Sequence, residues 1–174
     1  MTPLNRLVLL SLLLAAGVIL NVFETLYLPP LPVPGAKVGL AHIITLFLVA
    51  FFSLREALIN LVLRVVVASL ATGTFLTTLF FFSLGGALVS YLVMALMYSR
   101  LGGRLSLLGV SVAGAVTHNL TQLALAVWLL GTWGIALHLP FLVIVGVITG
   151  SFNGLLANAL CRRMAAVPAS DALG

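Results

Sequence analysis

Ala57–Ala71, ALINLVLRVVVASLA, is an apolar stretch of helix length with a single guanidinium, Arg64, near its middle. The rest of the 174-residue chain has the same character, with 63% hydrophobic and 6% charged residues. A soluble fold could not hide that much apolar surface. A guanidinium in hydrocarbon is costly, so Arg64 has to face a bundle interior, where a carboxylate or a polar ligand group can meet it. The expected fold class is an all-α membrane protein with an internal polar site.

Outward from Arg64, apolar runs fall at about Leu4–Leu26, Val38–Phe52, Glu56–Thr72, Leu76–Tyr98, Leu107–Leu130 and Leu139–Cys161, which predicts six transmembrane helices. Crossing the hydrocarbon takes about 20 residues, so the short second and third runs are expected to tilt less or to end below the interface. The first run resembles a signal peptide, with Arg6 ahead of Leu7–Leu20, but Asn21 and Glu24 continue it without a convincing small-residue cleavage site. It reads as an uncleaved first helix. One six-helix domain over 1–164 and a short cytoplasmic tail over 165–174 are expected.

With a cytoplasmic N-terminus, Arg6, Arg55, Arg100, Arg104, Arg162 and Arg163 fall on the inner side and Lys37 falls in an external loop. That pattern obeys the positive-inside rule and predicts a multi-pass inner-membrane protein with both termini cytoplasmic. The net charge of +5 therefore reflects topology in a lipid bilayer, and nucleic acid is not an expected partner. Cys161 is the single cysteine, which rules out an internal disulfide. A Walker lysine and a glycine-rich phosphate loop are both absent, so ATP-driven work would fall to other membrane subunits.

Residues three or four apart share a helix face. Gly17, Asn21 and Thr25 stack in the first span with Glu24 beside them, and Glu56, Asn60, Arg64, Ala68 and Thr72 form one stripe in the third. Gly114, His118 and Gln122 align in the fifth with Asn119 adjacent, while Gly39 and His42 mark the outer end of the second. Asn21, Glu24, Lys37, His42, Arg64, His118, Asn119 and Gln122 are the candidate ligand-binding residues, lining one cavity open to the outside. The competing role is interhelical hydrogen bonding that holds the bundle together. The set as a whole favours a site, because ionisable groups in the membrane are expensive. Arg64 is expected to pair with Glu24 or with an anionic ligand group, and Glu56, about 12 Å along the same helix, to stay at the inner interface with Arg55.

Depth counted along each helix places His42 about four residues below the outer surface, His118 about twelve, and His138 at a helix end. Those levels disagree, which argues against bis-histidine haem, and ligand spacing for a metal is lacking. Neither a serine with a positioned base nor an aspartate-rich pair for diphosphate and magnesium can be identified, so no enzyme is expected. There is no covalent cofactor motif, although flavin or quinone could be a ligand. Pro29, Pro30, Pro32 and Pro34 stiffen Tyr27–Lys37 into a cap over the cavity or a plain strap. Gly146, Gly150 and Gly154 leave a groove for a close helix neighbour, within the chain or from another subunit.

Four blocks carry a family resemblance: VPGAKVGLAHIITL (Val33–Leu46), REALINLVLRVVVASLATGTF (Arg55–Phe75), FSLGGALVSYLVMAL (Phe82–Leu96) and LLGVSVAGAVTHNLTQL (Leu107–Leu123). They resemble the Gx transporter family, also described as heptaprenyl diphosphate synthase component I. That family is related to the S components of energy-coupling factor transporters. The resemblance implies a compact six-helix, S-component-like bundle with an outward-facing site for a small vitamin-like molecule. Where docking S components carry Ala-x-x-x-Ala on the first helix, this chain has Ser11 and Ala15, and the aspartate-rich motifs of prenyl synthases are absent. The function expected is binding of a vitamin-like, flavin-, quinone- or isoprenoid-related molecule for transport with partner subunits. Some members resemble proteins encoded with flavin-modified extracytosolic components, so one alternative is an electron-transfer subunit linking membrane quinone to an extracytosolic flavoprotein. Another is a scaffold subunit of a membrane complex.

Overall fold

Local chemistry sets several helix ends. Ser53 and Glu56 form a reciprocal capping box at the start of one helix, Ser106 caps another through the Gly109 amide, and Gly131 at φ +61° closes that second helix. The computed structural model describes residues 2–27, 39–101 and 106–165, with side chains for all of these but 101 and 161–165. Its helices are α1 (Pro3–Tyr27), α2 (His42–Phe51), α3 (Leu54–Ala71), α4 (Thr78–Leu101), α5 (Leu107–Leu130) and α6 (Leu139–Ala165), with a 3₁₀ turn at Trp133–His138. The described residues contain no strand. Four helical stretches, Pro3–Tyr27, Thr78–Arg100, Leu107–Leu130 and Trp133–Leu160, are long and apolar enough to cross a membrane. The protein is an all-α, multi-pass membrane bundle.

The second apolar run departs from its expected extent. Its helix begins at His42 and covers 10 residues, about 15 Å of rise, half of a hydrocarbon crossing. His42 to Val49 are all buried, and α2 touches each of the other five helices. A helix that is hydrophobic all round belongs in a core, and α2 is the central rod of this one. Tyr91 and Tyr98 of α4 donate to the carbonyls of Leu54 (2.7 Å) and Ala50 (3.3 Å), tying down the start of α3 and the C-terminal end of α2.

Around α2, α1 and α3 run parallel and in step. Arg6 Nη2 meets Glu56 Oε2 at 2.6 Å, Asn60 Nδ2 donates to the Leu10 carbonyl at 3.1 Å, and Gly17 lies against the stem of Arg64. The polar stripe expected on α3 therefore faces α1. The partner of Glu56 is Arg6 and not its sequence neighbour Arg55, because the helix-to-helix register brings the Arg6 head to the α3 N-terminus. On the far side, α5 and α6 run antiparallel with glycines at the seam. A Cβ on Gly146, Gly150 or Gly154 would lie 3.0, 2.6 or 2.7 Å from the Cα of Val116, Val112 or Leu108. The groove partner is thus internal, and backbone-to-backbone approach is what the small residues permit.

A buried polar cluster at the head of the central helix

Because α2 starts inside the bundle, three residues of non-helical backbone, Gly39 to Ala41, are packed half-buried or buried among the helices. Such backbone persists there only when protein satisfies its polar groups. Ala41, the N-cap, supplies no side-chain cap, and three other helices do the work. Glu24 of α1 accepts from the amides of Gly39 and Leu40, the latter at 3.2 Å. Asn153 of α6 donates to the Gly39 carbonyl at 3.0 Å, and Arg64 Nη1 of α3 donates to the Ala41 carbonyl at 2.5 Å. The Glu24 carboxylate also complements the positive end of the α2 dipole and acts electrostatically on Arg64. Gly39 has φ +83°, and a Cβ there would sit 3.1 Å from His42 Nδ1, so the turn requires glycine.

Beside the turn lies a cavity of about 30 Å³, lined chiefly by Asn21, Glu24, His42, Arg64, Ser83 and His118. His42 and His118 meet edge to face with ring centroids 4.5 Å apart. Ser90 donates to the Gly114 carbonyl (2.8 Å), and its hydroxyl lies 3.1 Å from His42 Nε2. Arg64 is 3% exposed, and its Nε has no hydrogen-bond partner among the described residues. Room for its stem comes from Gly17, where a Cβ would approach Arg64 Cδ to 2.7 Å.

Asn21, Glu24, His42, Arg64 and His118 thus surround one cavity. The depths assigned to the two histidines by counting need correction, since both rings sit at one level. His42 opens a helix that starts inside the bundle, so distance from a helix end was not distance from the membrane surface. Their direct ring contact also leaves no gap for a metalloporphyrin between them. Asn119 turns to α6 and donates to the Leu142 carbonyl at 3.0 Å, and Gln122 is fully buried beside His118 over Gly86. Neither lines the cavity. Lys37, the proline-rich stretch before it and the tail from 166 onward lie outside the described residues. Asn153, Ser83 and Ser90 were not singled out from the sequence. Asn153 stands three residues beyond Gly150 and seven beyond Gly146, on the face those glycines bury, and that spacing was its signal.

A family model described as heptaprenyl diphosphate synthase component I matches residues 13–160, which include every residue that lines the cavity. The chain belongs to that family. No curated protein and no solved structure matches it at a significant level. Family membership accords with the resemblance carried by the four sequence blocks, and the family's description names a component of a larger enzyme.

Proposed function

We propose that this family member is an S-component-like binding subunit of the inner membrane. It takes up the polar end of a small vitamin-like, flavin-, quinone- or isoprenoid-related molecule and passes the molecule on with partner subunits, without catalysis of its own. One observation carries this reading: a buried arginine, whose Nε has no hydrogen-bond partner among the described residues, lines a small polar cavity built from α1 to α5. A bundle held only by interhelical hydrogen bonds has no need of such a group, because an unmatched buried donor is a standing cost. Both termini are cytoplasmic in this reading, and the cavity lies on the external side of the bundle, near the ends of α1 and α3.

Purification in mild detergent, followed by mass spectrometry and absorbance spectroscopy of what accompanies the protein, tests the proposal. An exchangeable, redox-silent small molecule is expected, retained by Asn119→Ala and lost from Asn21→Ala and His118→Ala. A flavin or quinone that cycles between redox states in place would support an electron-transfer subunit instead. Empty protein of unchanged stability would support a scaffold.

A further inference from the structure

A second concavity, of about 530 Å³, lies on the outer surface of the bundle. Leu120, Leu123, Ala124 and Val127 of α5 form one wall, on the face turned away from His118 of the same helix, and Ala136 and Leu139 complete the other. At the end nearest the α5–α6 connection Trp128 and Trp133 line it, and they are still 78% and 82% exposed. These are the two tryptophans of the chain. No Lys, Arg, Asp or Glu occurs anywhere in 105–161, and among the described residues no charged side chain lines the groove.

Depth, volume and charge together select an occupant. From Leu120 to Gly131 at the end of α5 the groove runs about 16 Å along the helix axis, half of a hydrocarbon core about 30 Å thick. Indole rings favour the boundary between hydrocarbon and headgroups, and here they mark the outer end of the groove. The groove therefore spans one leaflet, from headgroup level to the bilayer middle. A helix is about 10 Å across with a pitch of about 5.4 Å, so the volume takes little more than one turn of a partner helix. A hydrocarbon chain lies along its whole length. Water does not fill an apolar concavity at this depth, and with no charge at the rim the groove recognises a chain and not a headgroup. A chain seated there meets protein on more than one side, so it gathers more dispersion contacts than a lipid lying on a convex helix face.

We infer that this groove is a lipid site, holding one acyl chain of a phospholipid from the leaflet at the Trp133 end. The site is separate from the Arg64 cavity and stands whether or not that cavity binds a ligand. Because both tryptophans line the groove, intrinsic fluorescence reports on it. Purified protein in maltoside micelles is titrated with phosphatidylcholine brominated at the middle of its chains, where bromine quenches an indole on contact. Quenching should saturate at one lipid per protein. Unbrominated phosphatidylcholine and phosphatidylglycerol should reverse it at similar concentrations. Ala124→Phe, at an exposed position of the wall, should keep the wild-type Tm and lose the saturable phase, whereas Leu92→Phe on the exposed face of α4 should retain it.

Quenching that rises with the brominated fraction without saturating would mean ordinary exchanging lipid and would overturn the inference. A saturable phase unchanged in Ala124→Phe would do the same, as would a strong preference for phosphatidylglycerol, which would show headgroup recognition. The competition readout needs no variant, so it decides the matter even if Ala124→Phe folds poorly. Farnesol that displaces the brominated lipid at lower concentration than phosphatidylcholine would assign the groove to a free isoprenoid. A dimer in native mass spectrometry that Ala124→Phe dissociates would assign it to a second copy of the chain. Either result removes the phospholipid.

Discussion

Three side chains from three helices, Glu24, Arg64 and Asn153, end on the backbone of the single turn Gly39–Ala41. The polar residues around the turn therefore divide into those that hold its backbone and those, Asn21, Ser83 and His118 among them, that line the cavity beside it, with Glu24 doing both. Arg64 belongs to both groups. Arg64→Leu strips the buried Ala41 carbonyl of its charged donor, so thermal unfolding in detergent should show a loss of at least about 1–3 kcal/mol. Arg64→Lys keeps the charge but not the planar fork, and should fall between wild type and Leu. Asn153→Leu removes a single neutral donor from the Gly39 carbonyl and should cost about 1–3 kcal/mol by the same measurement. Equal stability of Asn153→Leu and wild type would mean that the turn is not held from α6.

Among the elements, the α5–α6 seam is the most sterically demanding. A Cβ at Gly150 meets the Val112 Cα at 2.6 Å and the Ser111 carbonyl oxygen at 3.0 Å, and backbone cannot step aside as a flexible side chain can. Gly150→Leu should push the two helices apart and cost at least about 1–3 kcal/mol, seen as a lowered Tm. Gly134→Ala, whose Cβ would find its nearest neighbour at 3.9 Å, should leave Tm unchanged and serves as the control. The contrast between α1 and α2 has a different origin. In α1 the buried residues are Gly17 and Glu24, whereas α2 is buried from His42 to Val49. Apolar side chains on α1 are solvated by lipid, and those on α2 are solvated by the other helices.

At the scale of the whole molecule, the parallel register of α1 and α3 brings Arg6 and Glu56 together at one end of the bundle, and Arg55 is the neighbour of Glu56 in sequence. The opposite end carries the Thr72–Thr77 connection and the turn around Trp133. Because bases favour the cytoplasmic side, reporters fused after Thr74 and after Trp133 should both read external, as should one after Lys37. A cytoplasmic signal from any of them would invert the bundle and place the Arg64 cavity toward the cell interior.

Composition alone determined the membrane class, because this proportion of apolar side chains has no soluble solution. Hydrocarbon as solvent also determined that Arg64, Glu24, His42 and His118 turn inward, since the alternative face costs several kcal/mol for a charge. The glycine spacing at 146, 150 and 154 announced a close helix contact, and the structure assigns it to α5. Sequence spacing supplies the phase of a residue around its own helix and its rise along it, but not the offset of one helix against another. That offset is what brought His42 level with His118, turned Asn119 to α6 rather than into the cavity, and matched Glu56 with Arg6. It also made α2 a half-length central rod, because a segment that is apolar all round shows no preferred face. Only the assembled bundle, by satisfying the backbone of Gly39–Ala41 with groups from α1, α3 and α6, decided where that helix begins.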